Sequence, residues 1–196
     1  MRRGWIVLML VGMAVLVTGC PENSGVVTSG VVTSGVGPDG KVDHLLRGNE
    51  YADQGAVQQA ETEYAAAIME NRFDTRAYVN LGQLYINTNQ TEKAERVLLK
   101  AVELNPRETR GYNLLGHIYF SRRPPEYNKA RYFYAKAVDI NPSYYEAHWN
   151  LASACRQLGQ DADAAQHYER YLELAPASEG SHLQEARNYV RDLKRQ

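Results

Sequence analysis

Two hydrophobic patterns divide the chain. Between Trp5 and Val17 thirteen residues run apolar, broken only by Gly12 and Ala14. From Lys41 onward apolar and polar positions alternate at helical spacing, and the arrangement matches itself at a fixed offset. Gly48, Gly82 and Gly116 are 34 residues apart, as are Tyr51, Tyr85 and Tyr119. The same step separates Ala60 from Ala94, Ala67 from Ala101, Ala130 from Ala164, and Pro142 from Pro176. From Ala94 to Ala130 and from Pro106 to Pro142 the step is 36, which places a two-residue insertion at Arg122-Arg123-Pro124-Pro125, where paired prolines cannot continue a helix.

A 34-residue period of two amphipathic helices predicts an all-α array of hairpins. Small residues at Gly82, Gly116 and Ala152 let the paired helix approach closely, and Ala94, Ala130 and Ala164 do the same from the other side. Asn105-Pro106 and Asn141-Pro142 end second helices, because the residue before proline is driven out of helical conformation. Gly55, Asn89 and Gly159 fall between the helices of a pair, where a left-handed residue closes the first. After Pro176 a last helix is expected, with Ser181 and Gln184 as a capping box and an apolar stripe of Leu183, Ala186, Val190 and Leu193.

The spacing resembles the tetratricopeptide repeat. The second repeat carries Tyr78, Leu81, Gly82, Tyr85, Ala94, Leu98, Ala101 and Pro106, and the third Tyr112, Leu115, Gly116, Tyr119, Ala130, Tyr134, Ala137 and Pro142. The fourth is looser: His148, Leu151, Ala152, Cys155, Ala164, Tyr168 and Pro176, with Tyr171 where a small residue belongs. The first is degenerate, with His44, Arg47, Gly48, Tyr51, Ala60, Tyr64 and Ala67, and Arg72 in place of the closing proline. The resemblance implies a right-handed superhelix of four hairpins over 41–74, 75–108, 109–144 and 145–178, with a capping helix at 179–196 that shields the open end.

The family commonly holds a partner segment in a concave groove lined by first helices. Helical spacing directs Arg76, Val79, Gln83, Ile86, Arg110, Asn113, His117, Phe120, Trp149, Ser153 and Arg156 toward that groove. Arginines beside aromatic rings suit a partner with acidic and apolar groups. Some relatives grip a terminal carboxylate with Lys, Asn and Arg. Asn49, Asn80 and Arg110 match three of those places, but Leu45 and Leu114 stand where further basic residues belong, so no such clamp is expected.

The first apolar run is too short for a permanent span, which needs about 20 residues, but it fits the core of a secretory signal behind Arg2 and Arg3. Leu16-Val17-Thr18-Gly19-Cys20 follows and resembles the bacterial lipobox. That likeness implies a leader at 1–19 and acyl chains such as palmitate on Cys20, several of which hold a protein stably to a membrane. Pro21 lacks the aspartate that commonly retains lipoproteins at the inner membrane, a lean toward the outer one. Residues 20–40, with Gly-Val-Val-Thr-Ser twice over, read as a linker of roughly 25 Å average reach.

Composition adds mostly exclusions. Net charge is −1, and −3 once Arg2 and Arg3 are removed, so bulk charge recruits no nucleic acid. Fourteen tyrosines against three phenylalanines suit half-buried packing sites. The five histidines form no metal-binding spacing, and neither a phosphate loop nor a Gly-x-Ser-x-Gly motif occurs, so no cofactor and no enzyme is expected. Cys155 inside a helix reads as a small buried hydrophobe; a hydrolase using it is the weakest alternative. A tetratricopeptide body behind a lipobox resembles envelope-assembly lipoproteins, including those of type IV pili and secretins. The expectation is a periplasm-facing scaffold for a pilus, secretion or similar complex, or else an adaptor for peptidoglycan enzymes.

Overall fold

The computed structural model describes residues 42–195; the expected leader, Cys20 and the linker lie outside them. Nine α-helices follow one another among the described residues. They are α1 (His44–Asp53), α2 (Val57–Glu70), α3 (Thr75–Asn87), α4 (Thr91–Leu104), α5 (Thr109–Ser121), α6 (Tyr127–Ile140), α7 (Tyr145–Gln157), α8 (Asp161–Leu174) and α9 (Gly180–Leu193). The first eight pair as antiparallel hairpins, each stacked on its neighbour, and α9 lies against α8. The result is a right-handed superhelix in which consecutive first helices also touch one another.

The repeated small residues explain the stacking. Ala60, Ala94, Ala130 and Ala164 are all wholly buried. A methyl group placed on Gly82 would come within 2.6 Å of Leu98, and one on Gly116 within 2.5 Å of Tyr134. Both neighbours are themselves buried, so there is nowhere for them to move. Within hairpins the turns use left-handed residues, with φ of 72°, 58° and 71° at Gly55, Asn89 and Gly159.

Between hairpins the turn depends on asparagine as much as on proline. The side-chain oxygens of Asn71, Asn105 and Asn141 accept from the backbone N–H two residues on, at Phe73, Arg107 and Ser143, at 3.0 to 3.1 Å. The first repeat therefore closes normally although Arg72 replaces proline.

The insertion after α5 is tied down by Arg122. Its guanidinium donates to Glu95 (2.6 Å) and Glu126 (2.8 Å) and lies over the Tyr119 ring.

At the other end the expected capping box is absent. A 3₁₀ turn at Ala177–Glu179 runs directly into α9, so Ser181 lies inside the helix rather than at its cap. In its place Glu179 pairs with His182 at 3.0 Å. Three members of the expected stripe, Leu183, Ala186 and Val190, join Tyr168, Tyr171 and Ala152 in one cluster, while Leu193 stays only half-buried. Tyr171 does fill a small-residue position. Its ring packs against Trp149 and Tyr145, and burial pushes its hydroxyl up to about 12.

Candidate functional site

The first helices α1, α3, α5 and α7 line the concave side, and two cavities open there. The larger, about 590 Å³, lies between α1, α3 and the start of α5, around Asn49, Asn80, Gln83, Asn87 and Arg110. The second, about 410 Å³, lies between α5, α7 and α9, around His117, Phe120, Trp149, Ser153 and Arg156.

In the first chamber polar groups form a chain. Arg110 donates to the side-chain oxygen of Asn80 at 2.8 Å, and the Asn80 amide donates to Asn49 at 2.8 Å. Asn49 also accepts from the hydroxyl of Tyr64 at 2.9 Å. This chain fixes the direction of the Arg110 side chain while leaving most of its donors unused. Gln83 donates to Asn87 at the rim. The second chamber is aromatic and flanked by charge. The Trp149 ring lies 5.2 Å from those of Tyr168 and Tyr171 and 4.6 Å from His182, while Phe120 meets Tyr127 edge-on.

The arginines differ in their commitments. Arg76 is exposed, but its guanidinium is bound to Asp74, which caps α3, at 2.6 to 3.1 Å. Hydrogen bonding to Arg76 holds the Asp74 carboxyl below its usual value. Arg156 pairs with Glu185 of α9 at 2.9 Å. Among the described residues Arg110 alone of the three has no carboxylate partner.

Two expected groove residues are corrected. Val79 is only 2% exposed and Asn113 only 8%. Both occupy one register position of the first helix, and there the contact between adjacent first helices covers the side chain. Asn113 accepts from Asn150 at 3.0 Å and cannot serve a partner as freely. Trp149 holds the same register position yet stays partly open, with the ring of His182 in α9 lying 4.6 Å away. Ser153 points its hydroxyl at the Trp149 carbonyl and at Tyr168, so it supports the chamber wall. Gln83, Ile86, His117 and Phe120 remain at least partly exposed.

Sequence reasoning missed part of the polar chamber. Asp53, Tyr64, Asn87 and Thr88 line it, and Tyr64 reaches in from a second helix. It also missed a histidine pair. His148 and His167 bring their Nδ1 atoms to 3.3 Å, although 19 residues separate them. No group of three metal ligands occurs among the described residues. Cys155 is 2% exposed, and burial pushes its thiol up, with Asp163 acting in the same direction; that environment suits packing rather than attack on a substrate.

Comparison with known proteins agrees with this geometry. No curated protein sequence matches the chain. The solved structure titled crystal structure of MamA protein superposes with a TM-score of 0.60 at 19% identity, over 76% of this chain and 86% of that one. The first TPR of Spaghetti (RPAP3), bound to the HSP90 peptide SRMEEVD, gives 0.55 at 22%, over 59% and 90%. YrrB, described as a TPR protein with an unusual peptide-binding site, gives 0.58 at 17%, over 69% of each chain. The profile of the tetratricopeptide repeat family matches residues 51–118 and 126–187, most of the chain. On period, packing and profile alike, the chain belongs to the tetratricopeptide repeat family.

Proposed function

We propose that the chain is a lipid-anchored scaffold of the bacterial envelope which holds a segment of a partner protein in its concave groove and helps a pilus or secretion complex assemble. The observation that carries the binding reading is Arg110, a groove arginine oriented by Asn80 and, among the described residues, left without a carboxylate. An exposed guanidinium fixed in direction loses little entropy on taking up a partner's acid. The aromatic chamber one repeat further on offers Trp149 and Phe120 as anchors for an apolar side chain. The partner segment therefore carries an acidic group and, a few residues away, an apolar one. The acidic HSP90 peptide held by the similar RPAP3 repeat supports this chemistry.

The membrane half of the proposal rests on Leu16 to Cys20, with the body facing the periplasm, preferentially at the outer membrane. Two experiments test it. A photo-crosslinking residue at Gln83, in cells, captures the partner, and Arg110→Glu in the same chain abolishes capture; undiminished crosslinking in that variant would sink the groove. Capture of a peptidoglycan enzyme would replace the pilus reading with the adaptor one. Palmitate labelling disappears in Cys20→Ser, and label that persisted there would remove the anchor.

A further inference from the structure

The junctions between hairpins are not chemically equal. At the first, the Tyr85 hydroxyl donates to Glu61 at 2.6 Å, reaching back to the preceding second helix. At the next, Tyr119 does the same to Glu95, and its ring stacks on Phe133 at 5.3 Å with the ammonium of Lys129 5.0 Å from the centroid. The third junction keeps the register but changes every member. Cys155 stands for Tyr119 and Arg131 for Glu95, both 36 residues on, while His167 stands for Phe133 and Asp163 for Lys129, both 34 on. The large ring is gone, and the charges on either side of it are reversed.

A cleft of about 240 Å³ opens at that junction, on a wall of Leu151, Ala135 and Cys155, with Arg131, Asp163, His167 and the largely exposed Tyr132 at its edge. A cavity of about 150 Å³ suffices for a benzene ring. We propose that this cleft is a socket for a tyrosine side chain of a partner protein, which restores the ring that the repeat lacks.

The polar edge selects the ring. His148 places Nε2 at 3.1 Å from the Pro142 carbonyl, so that nitrogen carries its proton and the Nδ1 of His148 is bare. The Nδ1 of His167, 3.3 Å away, must then be the donor, which leaves Nε2 of His167 as an acceptor. Asp163 is a second acceptor. Neither Asp163 nor Arg131 is in an ion pair among the described residues. Two acceptors call for an occupant that donates, as a phenol does, and Arg131 supplies a cation able to lie over its face. The acceptor formerly provided by glutamate has moved to the other side of the ring. The socket is independent of the concave groove, so either can fail without the other.

The test uses the full chain and reads Cys155 itself, by peptide mapping after slow alkylation with iodoacetamide. N-acetyl-tyrosinamide protects Cys155 saturably, and N-acetyl-phenylalaninamide needs about fivefold more, the value of one hydrogen bond. Ala135→Leu narrows the cleft and weakens protection. In Cys155→Tyr, ligand-observed saturation-transfer signals from this site vanish; helicity by circular dichroism shows that this variant is folded, and Ala135→Leu carries the same test should it not be. Absence of protection at any concentration, or protection undiminished in Ala135→Leu, overturns the proposal. Protection by p-cresol with none from N-acetyl-tyrosinamide overturns it too, because the occupant would then be a free phenol rather than a side chain.

Discussion

At the residue scale the chain works by excluding volume. Ala94 has no exposed surface and sits where the two helices of its hairpin meet. Ala94→Leu is expected to cost about 1–3 kcal/mol through forced displacement of α3 from α4, measured as a lower urea midpoint with an unchanged slope. The histidine pair adds a pH dependence. Burial lowers His148, opposed by its bond to the Pro142 carbonyl and aided by Arg170; burial and then His148 lower His167, while Asp163 opposes. Folded values below the unfolded one of about 6.5 mean that the unfolded chain takes up protons which the folded pair refuses. The stabilisation is complete above that value and is lost as pH falls through the folded range. His167→Phe, which installs the ring found at Phe133, removes one titration and should flatten the fall in Tm between about pH 7 and 5. An equally steep fall in that variant would assign the acid sensitivity to carboxylates. The pair was invisible in the sequence because its members are neighbours only once α7 lies on α8.

At the element scale the period was legible because packing repeats, whereas the caps were legible only where the residue is diagnostic. Proline marked the ends of α4 and α6, yet Asn71, Asn105 and Asn141 make the turn bonds, and they adopt nearly the same backbone, with φ between −139° and −130° and ψ of 91° to 95°. Those angles suit a residue before proline. Arg72→Pro should therefore stabilise the chain by about 0.4–1 kcal/mol by restricting the unfolded state, seen as a raised Tm; a lowered Tm would show that the arginine holds the turn. The final helix was correctly placed by its stripe but its start was not, since the 3₁₀ turn before it does the work assigned to Ser181. Val79 and Asn113 were misdirected for a related reason. Helical spacing describes one helix, while their burial comes from the helix of the next repeat. The groove was thus half legible: Gln83, Arg110 and Trp149 follow from the wheel, but the bond that aims Arg110 joins side chains 30 residues apart. Leu183, buried against Tyr168 and Ala186, anchors α9. Leu183→Ala should cost about 2–3 kcal/mol, or roughly 4–12 °C in Tm, and loosen the Trp149 chamber, read as a red shift in tryptophan emission.

At the scale of the whole molecule each hairpin touches only its neighbours, so stability is a sum of hairpin and junction terms. Those terms are unequal. In α1 and α2 together only Gly48, Tyr51, Ala60 and Tyr64 are buried, whereas α3 and α5 each bury seven residues, in α5 Gly111 and Asn113 through Gly116 with Ile118 and Tyr119. The first hairpin meets a neighbouring hairpin on one side, and it leaves Leu46, Met69 and Phe73 exposed. The second and third each meet a hairpin on both sides. Apolar burial sets the free energy of local opening, since each buried methylene contributes about 0.8 kcal/mol. Native-state hydrogen exchange should therefore rank the array, with amides of α1 and α2 exchanging through the lowest-energy opening and those of α3 to α6 only near global unfolding. The polar chamber spans this contrast: Asn49 lies on the weakest hairpin, while Asn80 and Arg110 lie on the two that bury most. A ligand bridging all three would tie the first hairpin to the rest and slow its exchange by the factor its affinity dictates, while α3 to α6 would change little. Uniform protection along the array without ligand would mean that the hairpins open as one unit, and the groove would then be rigid before any partner arrives.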